Sequence, residues 1–152
     1  MKAKIAGKDS KKMNKILAAL GLGVLMWVAP AGAQTSTMRF DIPFSFVAGD
    51  HVLPAGTYRV TVDDNFNLCR LDPFGGTSSH IVRLVPGATS RPMTKSLNGS
   101  MRFTRYGDRY VFSGVWRPDS VAGNETVQSR HQRELAASGT TPVVVSLSAG
   151  LK

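Results

Sequence analysis

The residues able to do chemistry in this chain are few and scattered. Three histidines, His51, His80 and His131, and one cysteine, Cys69, are the available soft ligands and nucleophile–base partners. The histidines lie far apart along the chain, and none has a His or Cys at zinc-finger or zincin spacing. They are expected to be surface or half-buried polar groups, with no metal bound. A nucleophilic Ser or Cys needs a positioned base, and no Gly-x-Ser-x-Gly turn or similar signature pairs one with a histidine. Asp63-Asp64 falls in a turn, where adjacent carboxylates need not converge on a substrate. No glycine-rich loop cradles a phosphate. The chain is therefore expected not to be an enzyme, with no catalytic residue and no cofactor. Cys69 has no partner for an intramolecular disulfide and reads as a small half-buried apolar group.

The densest interleaving of charge and aromatics runs from Arg102 to Arg117. Arg102, Arg105, Arg109 and Arg117 alternate there with Phe103, Tyr106, Tyr110 and Trp116, a composition that suits base stacking and phosphate contacts. Strand alternation, however, sends Phe103, Phe112 and Trp116 into a core, and an exported protein seldom meets nucleic acid. No nucleic-acid partner is expected. Arg102, Arg105, Arg109 and Tyr110 remain as a candidate partner surface, with Arg105 over Tyr110 as a cation–π pair. Such an edge suits an envelope protein, an acidic glycan or lipid head groups.

The elements that must position these residues are strands. Ser100 to Arg117 reads as a hairpin about Gly107-Asp108, a two-residue turn that pairs Tyr106 with Arg109. Counting back sets Arg105 opposite Tyr110, Phe103 opposite Phe112 and Met101 opposite Gly114. Met101, Phe103, Phe112, Gly114 and Trp116 then share a buried face, and Arg102, Thr104, Val111 and Ser113 the other. From Phe40 to Phe46 large apolar residues alternate with Asp41, Pro43 and Ser45, as in a half-buried strand. Gly49-Asp50 and Leu53-Pro54-Ala55-Gly56 reverse the chain, the second fitting Pro54 at position i+1 of a type I turn. Tyr58, Val60 and Val62 form the inward side of the next strand. Asp63-Asp64-Asn65 is a turn, Phe66 to Leu71 a short strand, and Ser79 to Val85 another with His80, Val82 and Leu84 on one side. Pro86 to Gly99 reads as a long loop. Asn124 is expected to cap a surface helix over Glu125 to Ala137 with Gly139 beyond it, and Thr141 to Leu147 is a last strand. About seven strands with turn signals between them predict an antiparallel β-sandwich or small barrel with one short surface helix.

The first 33 residues have the form of a cleaved secretory signal. Lys2, Lys4, Lys8, Lys11, Lys12 and Lys15 precede Ile16 to Ala29, 14 residues without charge, and Ala31-Gly32-Ala33 supplies the small residues of a cleavage site. Met13-Asn14-Lys15 would itself begin an ordinary signal. The apolar run is short against the roughly 20 residues of a membrane span, so no transmembrane anchor is expected after cleavage. Removing six Lys and one Asp lowers the net charge from +9 to +4. That balance is ordinary for a soluble domain. Residues 34–152 are expected to fold as one β domain, exported to the periplasm or outside the cell.

Ile42-Pro43-Phe44-Ser45-Phe46, Gly49 and Leu53-Pro54-Ala55-Gly56-Thr57-Tyr58-Arg59-Val60 resemble the opening of a group of small secreted bacterial proteins of unknown function. The resemblance implies a β-rich exported domain and brings no catalytic residue. The Pro-x-Gly-x-Tyr segment is also similar to corners of prealbumin-like and immunoglobulin-like sandwiches, which implies a packed Tyr58 with its hydroxyl on a backbone group. The expected function is binding or structural, at the cell envelope. The alternative is a carrier holding a small apolar ligand in a barrel cavity. A hydrolase would need a histidine within reach of Ser, Asp or Cys69 in a cleft.

Overall fold

The computed structural model describes residues 35–88, 98–118 and 120–150, all within one compact unit, Ala33–Lys152. The expected signal segment and most of the Pro86–Gly99 loop lie outside the described residues. Among the described residues ten strands and one helix follow in order: β1 (Thr35–Ile42), β2 (Phe46–Ala48), β3 (His51–Leu53), β4 (Gly56–Asp63), β5 (Leu68–Pro73), β6 (His80–Ala88), β7 (Ser100–Tyr106), β8 (Arg109–Trp116), β9 (Gly123–Thr126), α1 (Arg130–Ala137) and β10 (Val143–Ser148). The protein is mainly β and sandwich-like, as its alternation predicts, and its mixed sheet does not close.

The strand expected from Phe40 to Phe46 is divided in two. β1 ends at Ile42 and pairs with β4, with Phe40 opposite Tyr58 and Met38 opposite Val60. β2 begins at Phe46 and pairs with β3 and, in parallel, with β8. Pro43 lacks the N–H that would continue the ladder, so the chain leaves one sheet there and enters the other. The change of sheet keeps Phe40, Ile42 and Phe46 all in the shared interior.

β6 joins the sheets at their other side. Its first half pairs with β5 and its second half with β9, with a register shift between Pro86 and Ala88, where Gly87 has φ 97°. Strand structure thus runs to Ala88, beyond the expected start of the loop. β5 begins two residues later than expected, at Leu68, because the Asp63 carboxylate accepts the N–H groups of Asn65 (3.0 Å) and Phe66 (3.3 Å) and extends the turn.

Between the sheets lie Phe40, Phe46, Tyr58, Phe103 and Phe112, all fully buried. Phe46 meets Tyr58 and Phe103 edge-on at 5.4 and 5.3 Å between ring centroids, the arrangement that aromatic quadrupoles favour. Phe44 is half-buried and closes one end, stacked on Tyr110 at 3.8 Å and edge-on to Phe103 at 5.2 Å. The Tyr58 hydroxyl donates to the Pro54 carbonyl at 2.7 Å. That bond fixes the turn before β4 and matches the expectation for the Pro-x-Gly-x-Tyr segment.

The helix is shorter than its sequence pattern predicts. Gly123 to Glu125 pair with both β6 and β8, and Thr126 with β6, and a strand held on both sides outweighs the weak helical preference of Asn and Thr. Helix α1 starts after Ser129, whose side chain accepts the Gln132 N–H at 3.2 Å. Gly139 follows it with φ 78°, as expected. Leu135 packs on Val47, Tyr106 and Val111, a second apolar cluster on the outer face of the sheet.

Two measurements test this packing. Tyr58→Phe removes the bond to the Pro54 carbonyl and should cost about 1 kcal/mol in urea denaturation. Burial pushes the Cys69 thiol up to about 12 from its ordinary value of 9.0 and raises the Tyr58 phenol above 10.0. The folded chain therefore keeps protons that the unfolded chain releases, so both contributions are whole below pH 9; that of Cys69 is lost as pH rises toward 12, and that of Tyr58 as pH rises above 10.0. Unfolding free energies measured from pH 8 to 11 should fall, by up to about 1.4 kcal/mol per pH unit for each group, and Cys69→Ala should flatten the lower part of that slope.

Candidate functional site

The site is built by one surplus residue in the hairpin. Tyr106 pairs with Arg109, Arg105 with Tyr110 and Phe103 with Phe112, as counting from Gly107-Asp108 predicts. Beyond that the register shifts, so that Arg102 faces Gly114 and Met101 faces Val115 rather than Gly114. Ser113 is the extra residue, and its hydroxyl donates to the Arg102 carbonyl at 3.2 Å. Such a bulge inverts the alternation beyond it. Val115 therefore joins the interior, while Gly114 and Trp116 turn to the opposite face. The expectation that Trp116 fills the space between the sheets is corrected accordingly.

Trp116 is nonetheless only 1% exposed. Its indole lies over two glycines, in places no side chain could share. A Cβ on Gly114 would stand 3.0 Å from Cζ3, and one on Gly123 would collide with Cε2 and Nε1. The guanidinium of Arg102 covers the ring at 4.1 Å from its centroid and meets the Glu125 carboxylate at 3.8 Å. Arg102, Gly114 and Glu125 occupy one register row across β7, β8 and β9. Because Gly114 carries no side chain, the two charges reach each other over it. The Arg102 side chain is only 13% exposed, a burial that a guanidinium tolerates through ring and carboxylate partners.

Around this pair opens a groove of about 300 Å³. Thr104, Ser113 and Thr126 bring hydroxyls, Gln128 and Gln132 bring amides, and Pro142 and Val144 form an apolar margin. Thr126 also donates to the Phe112 carbonyl at 2.9 Å, and Gln132 is buried at the start of α1. The groove can donate and accept hydrogen bonds from fixed positions around a planar cation.

The four residues expected to share a partner surface are separated. Arg102 lies in this groove. Arg109 and Tyr110 line a second cleft of about 280 Å³ near the hairpin turn, where Arg109 Nη1 is 3.2 Å from His131 Nε2. Arg105 shares the register parity of Phe103 rather than that of Arg102 and Arg109, so no single arginine edge forms. The expected Arg105–Tyr110 cation–π pair is replaced by Tyr110 stacked on Phe44. Among the described residues the cation–π pairs are Arg102 with Trp116 and Arg39 with Phe74.

The remaining chemistry-bearing residues hold the fold. Asp64 binds Arg117 at 2.6 Å and accepts from Asn124 at 3.2 Å, tying the β4–β5 turn to β8 and β9. A wider cleft of about 380 Å³ lies at the β5–β6 loop, but its one carboxylate, Asp72, is held by Arg70 at 3.1 Å and by the Ser79 hydroxyl. Among the described residues no histidine bonds to Ser, Asp or Cys69. His51 and His80, expected to be separate, have ring centroids 5.3 Å apart. Compared with protein-family models, curated proteins and solved structures, the chain matches none.

The groove's dependence on its glycines is testable. Gly123→Ala should expel or tilt Trp116 and destabilise the protein by about 3 kcal/mol in urea denaturation. Gly150→Ala, where the nearest atom to a Cβ is the Arg39 carbonyl at 4.0 Å, should stay within about 0.5 kcal/mol of the parent.

Proposed function

We propose that the chain is an exported, non-catalytic binding domain that recognises a glycan of the cell envelope in the groove over Arg102. The observation that carries this reading is the lining: hydroxyls and carboxamides set around an immobilised guanidinium. Sugars present closely spaced hydroxyls, and side chains that both donate and accept match them. Lipid chains would want an apolar trough, and an apolar ligand carried inside would need the volume that Phe46, Tyr58, Phe103 and Phe112 fill. Export is supported by the basic, apolar and small-residue succession of residues 1–33 and by the motifs that resemble those of small secreted bacterial proteins.

Purification from the native host tests both halves. N-terminal sequencing should begin at Gln34, and titration with oligosaccharides released from the host envelope should show saturable binding. Arg102→Gln should weaken that binding at least about tenfold, the loss of one or more charged hydrogen bonds, while Arg109→Gln should not. Equal affinity in the parent and Arg102→Gln would refute the groove as the site.

A further inference from the structure

His51 and His80 stand at the first positions of β3 and β6. Both lie at the strand ends where the interior meets solvent, His51 exposed and His80 partly buried. His51 shares its parity with Leu53, 3% exposed, and His80 with Val82 and Leu84, 5% and 3% exposed. β3 belongs to the sheet built on β8, whereas the start of β6 pairs with β5 in the other. The two imidazoles thus come from different sheets and meet at the rim of the interior, with centroids 5.3 Å apart and planes tilted by 51°.

That spacing has chemical content. Zinc–imidazole bonds are about 2.0–2.1 Å long, which puts a ring centroid about 3.2 Å from the metal. Two such rings at a tetrahedral angle have centroids about 5.2 Å apart, and at a right angle about 4.5 Å. The observed separation matches the tetrahedral case. Imidazole nitrogen also selects borderline ions over Mg²⁺ and Ca²⁺, which prefer oxygen.

We propose that His51 and His80 form a two-imidazole site for a divalent transition-metal ion, with Zn²⁺ the best geometric match, that clips the two sheets together at this rim. Among the described residues no third His, Cys, Asp or Glu joins the pair in a metal-binding group, so water or a ligand's own donor atoms complete the coordination. An incomplete set of this kind binds more weakly than a closed four-ligand site and leaves positions open to exchange. The site is independent of the Arg102 groove.

The test uses the untagged protein and Zn²⁺ alone. Calorimetric titration at pH 7.5 should show one saturable site per chain with Kd below about 1 mM, and saturating Zn²⁺ should raise Tm, because the ion binds only the folded arrangement. His51→Gln and His80→Gln should each abolish binding and the Tm rise, whereas His131→Gln should change neither. If a variant does not fold, proton NMR of the parent reads the same site: Zn²⁺ should shift the His51 and His80 Cε1 protons and leave His131 in place. Absence of saturable uptake, binding that survives both single substitutions, or loss on His131→Gln would overturn the proposal.

Discussion

Side-chain direction in β8 is governed by the one residue that has no partner across the hairpin. Up to Phe112 the strand follows simple alternation and sends its aromatics inward. At Ser113 the count slips, and everything beyond it faces the other way. Without that slip Trp116 would press into an interior already filled by Phe103 and Phe112, and Gly114 would leave a gap there. With it, the large ring finds a bed of two glycines on the outside and the interior takes the smaller Val115. The groove, the stacked guanidinium and the reach of Glu125 all follow from this single offset.

Two kinds of order coexist on the two faces of that sheet. The inner face is held by ring contacts and area removed from water, which are tolerant of small shifts. The outer face near Trp116 is held by fit. Glycine, indole and guanidinium lie in layers, and the carboxylate of Glu125 neutralises the top layer. A half-buried ion pair of this sort adds little net stability once desolvation is counted. Its effect is geometric, since it sets the position of a cation whose long side chain would otherwise sample many rotamers.

The sequence was informative wherever one periodicity governed a whole segment. Tyr58, Val60 and Val62, the inward side of His80 to Leu84, and the first pairs about Gly107-Asp108 could be read from alternation and turn chemistry alone. What escaped reading depended on partners distant in the chain. Nothing local marks Ser113 as surplus, because a bulge is fixed by what both strands must bury. The segment Gly123 to Thr126 looks like the approach to a helix until β6 and β8 are placed on either side of it. A signal for the groove was present in hindsight: Gly114 and Gly123 flank Trp116, and glycine in strands often marks a close approach. His51 and His80, 29 positions apart, meet only because the chain changes sheets between Ile42 and Phe46.

That change of sheet also dictates an order of assembly. β4, β5 and β6 are successive neighbours, and β1 adds to β4, so the first sheet can zip up from contacts close in sequence as the chain lengthens. β2 finds only β3 close by. Its parallel partner in β8 lies more than sixty positions downstream, with Phe46 opposite Tyr110. Phe44, whose ring partners Phe103 and Tyr110 both belong to the late hairpin, and the side of Phe46 that meets Phe103 must therefore wait for it. A long loop closure of this kind slows folding, and it places the moment of greatest stickiness between the completion of one half and the docking of the other.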